Sequence, residues 1–378
     1  MKILQISASY KPAYVYGGPI MSVSMLAEQL VIAGESVDVF TTTANGKEEL
    51  PVVVGKSIMV DGVNTTYFHR VTKDHTQFSP DLLTHVWKNA KDYDVIHVHA
   101  WWNLAAVLSC LVATWRKVPV VVSPRGTLSN YSFGNKNNTA KRLIHNLLTK
   151  RLLKKCFIHT TSENEYHSVQ KIIGAKVFFN IPNFIRLGED KKYAEPESKN
   201  YLKIIFFSRI EEKKGLDILL NALPGVKIPY RLSIVGDGNI DYVNRLKDIA
   251  VKNNIDQHID WLGFRGKDKF DLLHEHDLFV LPSYDENFGN AIIESLSVGT
   301  AVLIGENVGL AHYVTDNNLG WLCHTDPASV SDAINTISAQ PDELKRIKKD
   351  APAKILKDFD ADNLVKKYID MYNQIITA

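Results

Sequence analysis

Residues 278–294, LFVLPSYDENFGNAIIE, join a short apolar run to a helical pattern through a glycine-containing loop. Leu278–Leu281 is apolar throughout, which is typical of a strand buried on both faces of a parallel sheet. Pro282 ends this run, and the apolar residues of Ala291–Val298 have helical spacing. The stretch therefore predicts a strand–loop–helix unit of an α/β domain.

The same alternation of short β-rich runs and helical patterns extends over both halves of the chain. In the first half the predicted strands are Ile3–Ile6, Val37–Thr41, Val95–His99, Val118–Ser123, Phe157–Thr160 and Val177–Ile181, with helices at Met21–Ala33 and Leu104–Trp115. In the second half they are Lys203–Phe207, Tyr230–Val235, Ile259–Leu262, Leu278–Leu281 and Ala301–Ile304, with helices that include Asp217–Leu223, Asp241–Asn253 and Ala291–Val298. We predict an α/β protein with two Rossmann-like, doubly wound domains.

The polar segment 189–200 separates the two strand series, so we interpret it as the linker between an N-terminal domain, 1–188, and a C-terminal domain, 201–357. The last residues, 358–378, form a helical pattern with no strand after it. The pattern leaves open which domain this helix caps, and packing back on the N-terminal domain is one option. We expect the two domains to face each other across a cleft, because ligands bind at the carboxyl ends of such strands.

Composition excludes several classes of protein. The 378 residues carry 44 Lys and Arg against 42 Asp and Glu, a balance that argues against a nucleic-acid binder. Cys110, Cys156 and Cys323 lack CxxC spacing, so we expect reduced core thiols and a cytoplasmic protein. The longest apolar stretch, 104–115, is shorter than the roughly 20 residues that span a bilayer, so only peripheral membrane contact is expected.

The loop and helix start in 286–294 have the residue types of a site for a sugar diphosphate. Gly289 allows a ligand to approach the backbone, and the free N–H groups at the start of the helix favour a diphosphate. Glu294 can accept hydrogen bonds from a ribose diol, and Glu286 from sugar hydroxyls. The alternative is a capped surface turn with two solvated carboxylates.

A second charged loop, FSRIEEKKGLD at 207–217, follows the first strand of the second half. Arg209 offers a planar fork of donors and Lys214 a point charge, both suited to a leaving diphosphate. Taken alone this loop would be interpreted as a solvated surface. Beside the glutamate-containing junction the functional interpretation is favoured.

These two segments resemble glycosyltransferase family 4, a group of retaining, nucleotide-sugar-dependent enzymes with the GT-B fold. The family pattern of Arg, Lys-Gly and a later Glu-x7-Glu corresponds here to Arg209, Lys214-Gly215, and Glu286 with Glu294. Further similar segments are Tyr10-Lys11-Pro12 followed by Gly17-Gly18, Asp94–His99, Ile234–Gly238 and Trp261–Phe264. The resemblance covers nearly the whole chain, and it implies transfer of a sugar from a nucleotide diphosphate sugar to an acceptor hydroxyl with retained configuration.

The resemblance also implies roles for individual residues. Arg209 and Lys214 would hold the donor phosphates, Glu294 the ribose, and Glu286 would face the transferred sugar. The loop near Phe264 would hold the base. The full set that we expect to bind the donor is Gly17, Gly18, Gly238, Phe264, Asn287, Phe288, Gly289, Asn290 and Glu294, with Glu286, Arg209, Lys214, Arg125 and His99 as catalytic candidates.

Three positions depart from the family pattern, and the fold is expected to survive two of them, Ala301 where members often have a proline and His312 where a glutamate is frequent. Where many members have a histidine near the reacting sugar, this chain has Arg125, which cannot act as an imidazole proton shuttle. Arg125 is therefore expected to bind either donor phosphate or an acidic acceptor. His99, at the end of a predicted strand, is either a contact to the acceptor or the sugar or a packed loop histidine, and His97 is expected to be structural.

Cofactor and partner expectations follow from the same analysis. The Asp-x-Asp pairs at 92–94 and 360–362 lie away from the expected phosphate site, and His274 and His276 lack metal-ligand spacing, so we expect no metal and no cofactor. The basic amphipathic stretch 141–155 is either a core helix whose charged face is solvated or a contact with an anionic membrane surface. The second interpretation would place the protein at the inner face of the membrane, with a lipid-linked acceptor in place of a plain saccharide.

Two other functions are compatible with this architecture. A nucleotide-sugar 2-epimerase would act on the donor alone, and a non-catalytic sugar-nucleotide-binding protein would bind without turnover. The complete set of Arg209, Lys214, Glu286 and Glu294 favours the transferase. We expect envelope polysaccharide or glycolipid assembly as its setting, judged from the family.

Overall fold

The computed structural model of the chain describes residues 1–129, 149–174, 177–188, 193 and 200–378. The chain divides into two compact units, Met1–Ile185 with Ala361–Ala378, and Arg186–Asp360. The division after Ile185 lies three residues before the boundary that the sequence predicts. The expected linker, 189–200, lies outside the described residues except for 193 and 200.

The first unit contains one large sheet and a small hairpin. Its strands are β1 Lys2–Ser7, β2 Ser36–Thr42, β3 Ala44–Asn45, β4 Glu48–Glu49, β5 Ser57–Val60, β6 Val63–Phe68, β7 Val95–His99, β8 Val120–Ser123, β9 Phe157–Thr160 and β10 Phe178–Asn180. Eight of them form a sheet in the order β10-β9-β8-β7-β1-β2-β6-β5, which is parallel except for β5, while β3 and β4 pair separately. The described helices are Gly18–Ile32, Pro80–Asn89, Leu104–Trp115, Lys150–Leu153, Glu163–Ile173 and Ala361–Ile376.

Both faces of this sheet are buried because alternate side chains of each strand point to opposite faces. One face packs on the helix Leu104–Trp115, where the thiols of Cys110 and Cys156 lie 3.5 Å apart in the core. The other face packs on the helix Gly18–Ile32 and on the C-terminal helix Ala361–Ile376. The C-terminal helix buries Leu364, Val365, Tyr368, Met371, Tyr372 and Ile375. These recur at helical spacing, and burying each large apolar side chain contributes about 1.5–3 kcal/mol.

The second unit is a six-stranded, wholly parallel sheet. Its strands are β11 Leu202–Phe207, β12 Tyr230–Val235, β13 Ile259–Gly263, β14 Leu278–Leu281, β15 Ala301–Gly305 and β16 Gly320–Cys323, in the order β13-β12-β11-β14-β15-β16. Its α-helices are Leu216–Ala222, Ile240–Lys252, Lys269–His274, Asn290–Ser297, Ala311–Asp316, Pro327–Ser338 and Pro341–Asp358. The strand order reverses between β11 and β14, so the loops that follow these two strands meet at a topological switch point.

The membrane expectations concern a segment that the structure describes only in part. Residues 130–148 lie outside the described ranges, and so does most of the basic stretch 141–155. In the part that is described, Leu152 and Leu153 are buried in the core of the first unit. None of the helices in the described ranges is long and apolar enough to cross a bilayer.

Candidate active site

The loops after β11 and β14 touch at the switch point of the second unit. A Cβ atom on Gly215 would lie 2.2 Å from the carbonyl oxygen of Pro282, so only glycine allows this approach. The Tyr284 N–H donates to the Lys213 carbonyl oxygen at 2.9 Å. Two segments that the sequence analysis treats as one site, although they are far apart in the chain, are therefore neighbours.

Lys214 and Glu286 form an ion pair between these loops, through a short hydrogen bond from Nζ to Oε2. The two side chains are only 10% and 15% exposed. Burial raises the pKa of Glu286, but the positive charges of Lys214 and Lys213 and of the more distant Arg209 outweigh burial and lower the pKa overall. Glu286 is therefore a carboxylate, and its Oε1, which accepts no hydrogen bond within the described ranges, reaches solvent.

Arg209 lies on the same loop but at the surface. Its guanidinium pairs with Glu211 at 2.6 Å, and the two side chains are 43% and 38% exposed. The loop is fixed from behind, because the Ile210 N–H donates to the Asp237 carbonyl at 2.8 Å. A Cβ atom on Gly238 would lie 2.2 Å from the Ile210 carbonyl oxygen, so Gly238 makes this close packing of loops feasible.

The helix Asn290–Ser297 begins directly after the loop that carries Glu286. Gly289 precedes it with φ 89°, a left-handed conformation in which a Cβ atom would lie 2.6 Å from Ile292 Cδ1. The Ile292 N–H donates to the Gly289 carbonyl at 2.9 Å, and the N–H groups before it lie at the positive dipole end of the helix. Asn287 and Asn290 flank the turn half-buried, whereas Phe288 is buried and packs edge-on against Phe359, anchoring the loop.

Glu294, one turn into this helix, has a partner that the sequence analysis missed. Lys269 donates to its Oε1 at 2.5 Å, and the side chains are 19% and 13% exposed. Lys269 lies on a different helix and belongs to no motif, so no pattern in the sequence signals it. Phe264, in the loop after β13, is 73% exposed, so its ring is open to a ligand.

In the first unit, Gly17 and Gly18 lie at the start of the helix Gly18–Ile32. Gly17 has φ 71° and ψ −139°, a backbone conformation that favours glycine. The neighbouring Tyr16 hydroxyl accepts the Gly46 N–H at 3.0 Å, which ties this loop to the hairpin β3–β4. Buried Arg70 holds the hairpin through Glu49 and two backbone carbonyls, a buttress that the sequence analysis missed.

Arg125 and His99 lie together at the carboxyl ends of β8 and β7. Arg125 has φ 52°, a strained backbone for a side chain of this size. Its Nε donates to His99 Nδ1 at 3.2 Å, and its Nη1 donates to Ser22 Oγ at 3.0 Å and to Asn183 Oδ1 at 2.7 Å. Of the two options for His99, the structure shows a buried side chain that contacts Arg125.

A chain of hydrogen bonds runs through the buried face behind them. His159 Nε2 faces the Ile181 carbonyl at 2.9 Å and must donate to it, so His159 Nδ1 accepts from the Ser123 hydroxyl at 2.6 Å. Ser123 Oγ then accepts from His97 Nε2 at 2.6 Å, and His97 Nδ1 accepts from the Tyr372 hydroxyl at 2.7 Å. The chain is complete with both imidazoles neutral. Burial, helped by neighbouring positive charges, lowers the pKa of His97 far below 6.5 and that of His159 to about 3.

Glu165 stabilises the loop that presents Arg125. Its Oε1 accepts the Gly126 N–H at 2.7 Å, and its Oε2 accepts the Thr161 N–H at 2.8 Å. The sequence carries a signal for this residue. Ser162 and Glu165 have the spacing of a helix capping box, and Ser162 Oγ accepts the Glu165 N–H at 3.2 Å.

No group of three or more His, Cys, Asp or Glu side chains within the described ranges is arranged to hold a metal ion. The functional groups available to a ligand are cations, helix N–H groups and carboxylates. The second unit supplies the switch-point loops, and the first unit, considered by itself, supplies the Arg125 cluster.

Two family models match the chain. Glycosyl transferase 4-like domain matches residues 17–170, and Glycosyl transferases group 1 matches residues 189–354. An uncharacterised glycosyltransferase of Methanocaldococcus jannaschii is 24% identical over 98% of both chains. A D-inositol 3-phosphate glycosyltransferase of Corynebacterium urealyticum is 23% identical over 96% of this chain and 91% of its own.

The fold has a counterpart among solved structures. Anabaena HepE, crystallised in complex with UDP and glucose, aligns with a TM-score of 0.76 at 21% identity, covering 99% of this chain and 100% of its own. At this identity the likeness concerns the fold, and it agrees with the two α/β units described above. With both units matched, the chain belongs to glycosyltransferase family 4 and has the GT-B fold.

Proposed function

We propose that this glycosyltransferase moves a sugar from a nucleotide diphosphate sugar to an acceptor hydroxyl with retention of the anomeric configuration. The observation that carries the proposal is the meeting of Lys214 with Glu286 at a switch point where a glycine-led helix also begins. In α/β sheets ligands bind at the position where the strand order reverses. Cations beside the start of a helix are suited to binding a diphosphate.

The chemistry that these groups support is electrostatic. As the bond from the anomeric carbon to the phosphate oxygen breaks, negative charge grows on the diphosphate. Lys214, Arg209 and the helix N–H groups after Gly289 would stabilise that charge in the transition state. Arg209 is free to turn towards the diphosphate, because its exposed pair with Glu211 is worth only about 0–1 kcal/mol.

The acceptor step needs no protein nucleophile in this proposal. The acceptor oxygen bonds to the anomeric carbon on the face that the phosphate leaves, and its proton passes to the departing phosphate oxygen. Glu286 Oε1 would accept a hydrogen bond from a hydroxyl of the transferred sugar, and the second oxygen of Glu294 from the ribose. We further propose that the reaction requires no metal and no cofactor, so activity should persist in excess chelator.

The proposed setting is envelope polysaccharide or glycolipid assembly in the cytoplasm, with a saccharide or lipid-linked acceptor. Peripheral contact with the inner face of the membrane through 141–155 would suit a lipid-linked acceptor. The name of one relative, a D-inositol 3-phosphate glycosyltransferase, supports an acceptor that carries several hydroxyl groups.

The experiment that tests the donor site is a thermal-shift screen against nucleotide sugars. UDP-glucose is the first probe because HepE was crystallised with UDP and glucose. A donor that binds only the folded protein raises the melting temperature, by an amount set by its concentration over Kd. The proposal fails if no nucleotide sugar shifts the wild type, or if a donor shifts Glu294→Ala as strongly as the wild type.

Incubation of the enzyme with donor alone addresses the epimerase alternative. An epimerised nucleotide sugar would favour that activity, whereas an unchanged donor that is consumed when acceptors are added supports the transferase. Tight donor binding without turnover over a broad acceptor panel would instead indicate a non-catalytic binding protein.

A further inference from the structure

The guanidinium of Arg125 is fixed by groups that carry no charge. It donates to His99 Nδ1, Ser22 Oγ and Asn183 Oδ1, each from a different segment of the first unit. These three bonds use the Nε hydrogen and both Nη1 hydrogens, so the plane and direction of the fork are set. A planar fork held in this way is prepared to bind a ligand without first losing side-chain freedom.

Among the residues that the structure describes, Arg125 has no acidic partner. Within the described ranges no carboxylate lies at ion-pair distance from it, unlike Lys11, Arg70 and Lys214. Glu165 is the carboxylate whose charge acts on Arg125, but its oxygens accept N–H groups of Gly126 and Thr161. A cation partly removed from water without a counter-charge is costly, which points to a counter-charge from outside the chain.

The neighbouring histidines add no charge of their own. Arg125 Nε donates to His99 Nδ1, so the proton of this neutral ring is on Nε2. Burial lowers the pKa of His99 well below its usual 6.5, and the nearby His97 and Arg125 lower it further. The cluster thus carries the single positive charge of Arg125.

Unused donors remain at this cluster. The two hydrogens of Arg125 Nη2 have no acceptor in the described part of the chain, and this nitrogen is not buried. The proton on His99 Nε2 is buried and likewise has no partner there. Left-handed backbone at Ala100, Trp102 and Arg125 shows that strain is concentrated in the loops around the cluster, which is common at binding sites.

We infer that Arg125 binds a carboxylate or phosphate group of the acceptor, so that the acceptor of this enzyme is an acidic saccharide. The inference rests on the proposed function and names its acceptor class. The donor diphosphate is the other source of such an anion. We assign Arg125 to the acceptor because the second unit already supplies Arg209, Lys214 and a helix start for the diphosphate.

The test is a direct binding measurement that needs no turnover. Ligand-observed saturation-transfer NMR at pH 7.5 compares glucuronate with glucose and glucose 6-phosphate with glucose, pairs that differ in the acidic group. We expect at least one acidic member to bind about tenfold or more tightly than glucose, the effect of a charge-assisted hydrogen bond.

Two variants remove the charge effect in different ways. Arg125→Gln deletes the cation, and Asn183→Asp keeps the shape and an acceptor for Nη1 but places a carboxylate against the guanidinium. Both should reduce the preference for the acidic ligand to less than about twofold, because the counter-charge is lost or supplied internally. Arg116→Gln, which changes an arginine stacked on Trp87 in the same unit, should retain the preference.

Three results would overturn the inference: no preference for either acidic ligand in the wild type, full preference in a folded Arg125→Gln or Asn183→Asp protein, or displacement of the acidic ligand by UDP. The last would assign Arg125 to the donor diphosphate. The UDP-glucose thermal shift of Arg125→Gln separates this inference from the proposed function, since we expect that shift to equal the wild type's.

Discussion

Neutralising the Lys214–Glu286 pair one residue at a time separates its structural role from its role in donor binding. We consider Lys214→Met, Glu286→Gln and the double variant. Each single change leaves one charge or polar group in a pocket where the side chains are only 10% and 15% exposed. The double change replaces the ion pair by an uncharged pair of similar volume.

The expected magnitude follows from the burial of the pair. Removing one partner of a buried ion pair costs about 3–5 kcal/mol, and we take about 3 because neither side chain is fully buried. For a unit of this size, about 1 kcal/mol shifts the melting temperature by about 2–4 °C, so Lys214→Met should melt about 6–12 °C lower at pH 7.5. Glu286→Gln should lose less, because the amide oxygen still accepts from Lys214.

The pH dependence of Lys214→Met gives a second check. In the wild type the pKa of Glu286 is lowered because the positive charges outweigh burial. Without Lys214 the largest of the charges that oppose burial is gone, so we expect that pKa to rise. A carboxyl whose pKa is raised by folding destabilises the folded state while it is ionised, and this loss disappears as the carboxyl protonates. The difference in melting temperature between the wild type and Lys214→Met should therefore be smaller at pH 5.5 than at pH 7.5.

The assay is differential scanning fluorimetry of the four proteins with and without nucleotide sugar. The double variant should regain most of the lost melting temperature yet show a clearly smaller donor shift than the wild type, because Lys214, one of the two cations proposed for the diphosphate, is absent. A Lys214→Met protein that melts within about 2 °C of the wild type would refute the structural part of this reasoning. A normal donor shift in the double variant would refute the functional part.

Three further predictions address other parts of the two units. The pKa of buried His97 and His159 lies below the usual 6.5. The free energy of unfolding should therefore be constant above pH 6.5 as far as these histidines are concerned, and should fall below pH 6.5 by about 1.4 kcal/mol per pH unit for each of them. Urea unfolding of the first unit at pH 7 and pH 5 checks this, and equal stability would contradict it. Gly238→Ala should weaken donor binding about tenfold or more, because its Cβ would lie 2.2 Å from a backbone oxygen of the Arg209 loop, and calorimetric titration measures this. Lys269→Met should lower the melting temperature more than Arg265→Gln, whose ion pair is exposed; equal losses would refute that ranking.

The sequence was sufficient for the strands and loops that build the second-unit site. Apolar runs such as Leu278–Leu281 have a buried environment on both faces, so their pattern alone identifies them. The strand Val63–Phe68 was missed because its threonines and asparagine break the apolar run, although Thr65 and Thr66 are buried. The helix Pro341–Asp358 was missed because it is largely polar and contains Pro352.

The sequence could not predict pairs of side chains that come from distant segments of the chain. Lys269 reaches Glu294 across 25 residues, and Asn183 reaches Arg125 across 58. Neither belongs to a motif, and their pairing depends on how helices and loops pack in space. The family resemblance implied that Arg125 stands where many members have a histidine, but the neutral partners that fix its guanidinium became visible only in the structure.

The charge arrangement of the two units suggests how ligands compete with internal contacts. In the second unit Arg209, Lys214 and Lys269 each have a carboxylate partner, so a diphosphate must draw on pairs that already exist. The exposed pair of Arg209 is the least costly to open, since such pairs are worth about 0–1 kcal/mol, whereas Lys214 is fixed in a buried pair. We therefore expect Arg209 to move onto the phosphates when a donor binds, while Lys214 keeps its position beside Glu286. Within the described ranges Arg125 has only neutral hydrogen-bond partners, so an anion that binds it need not break an ion pair that the structure shows.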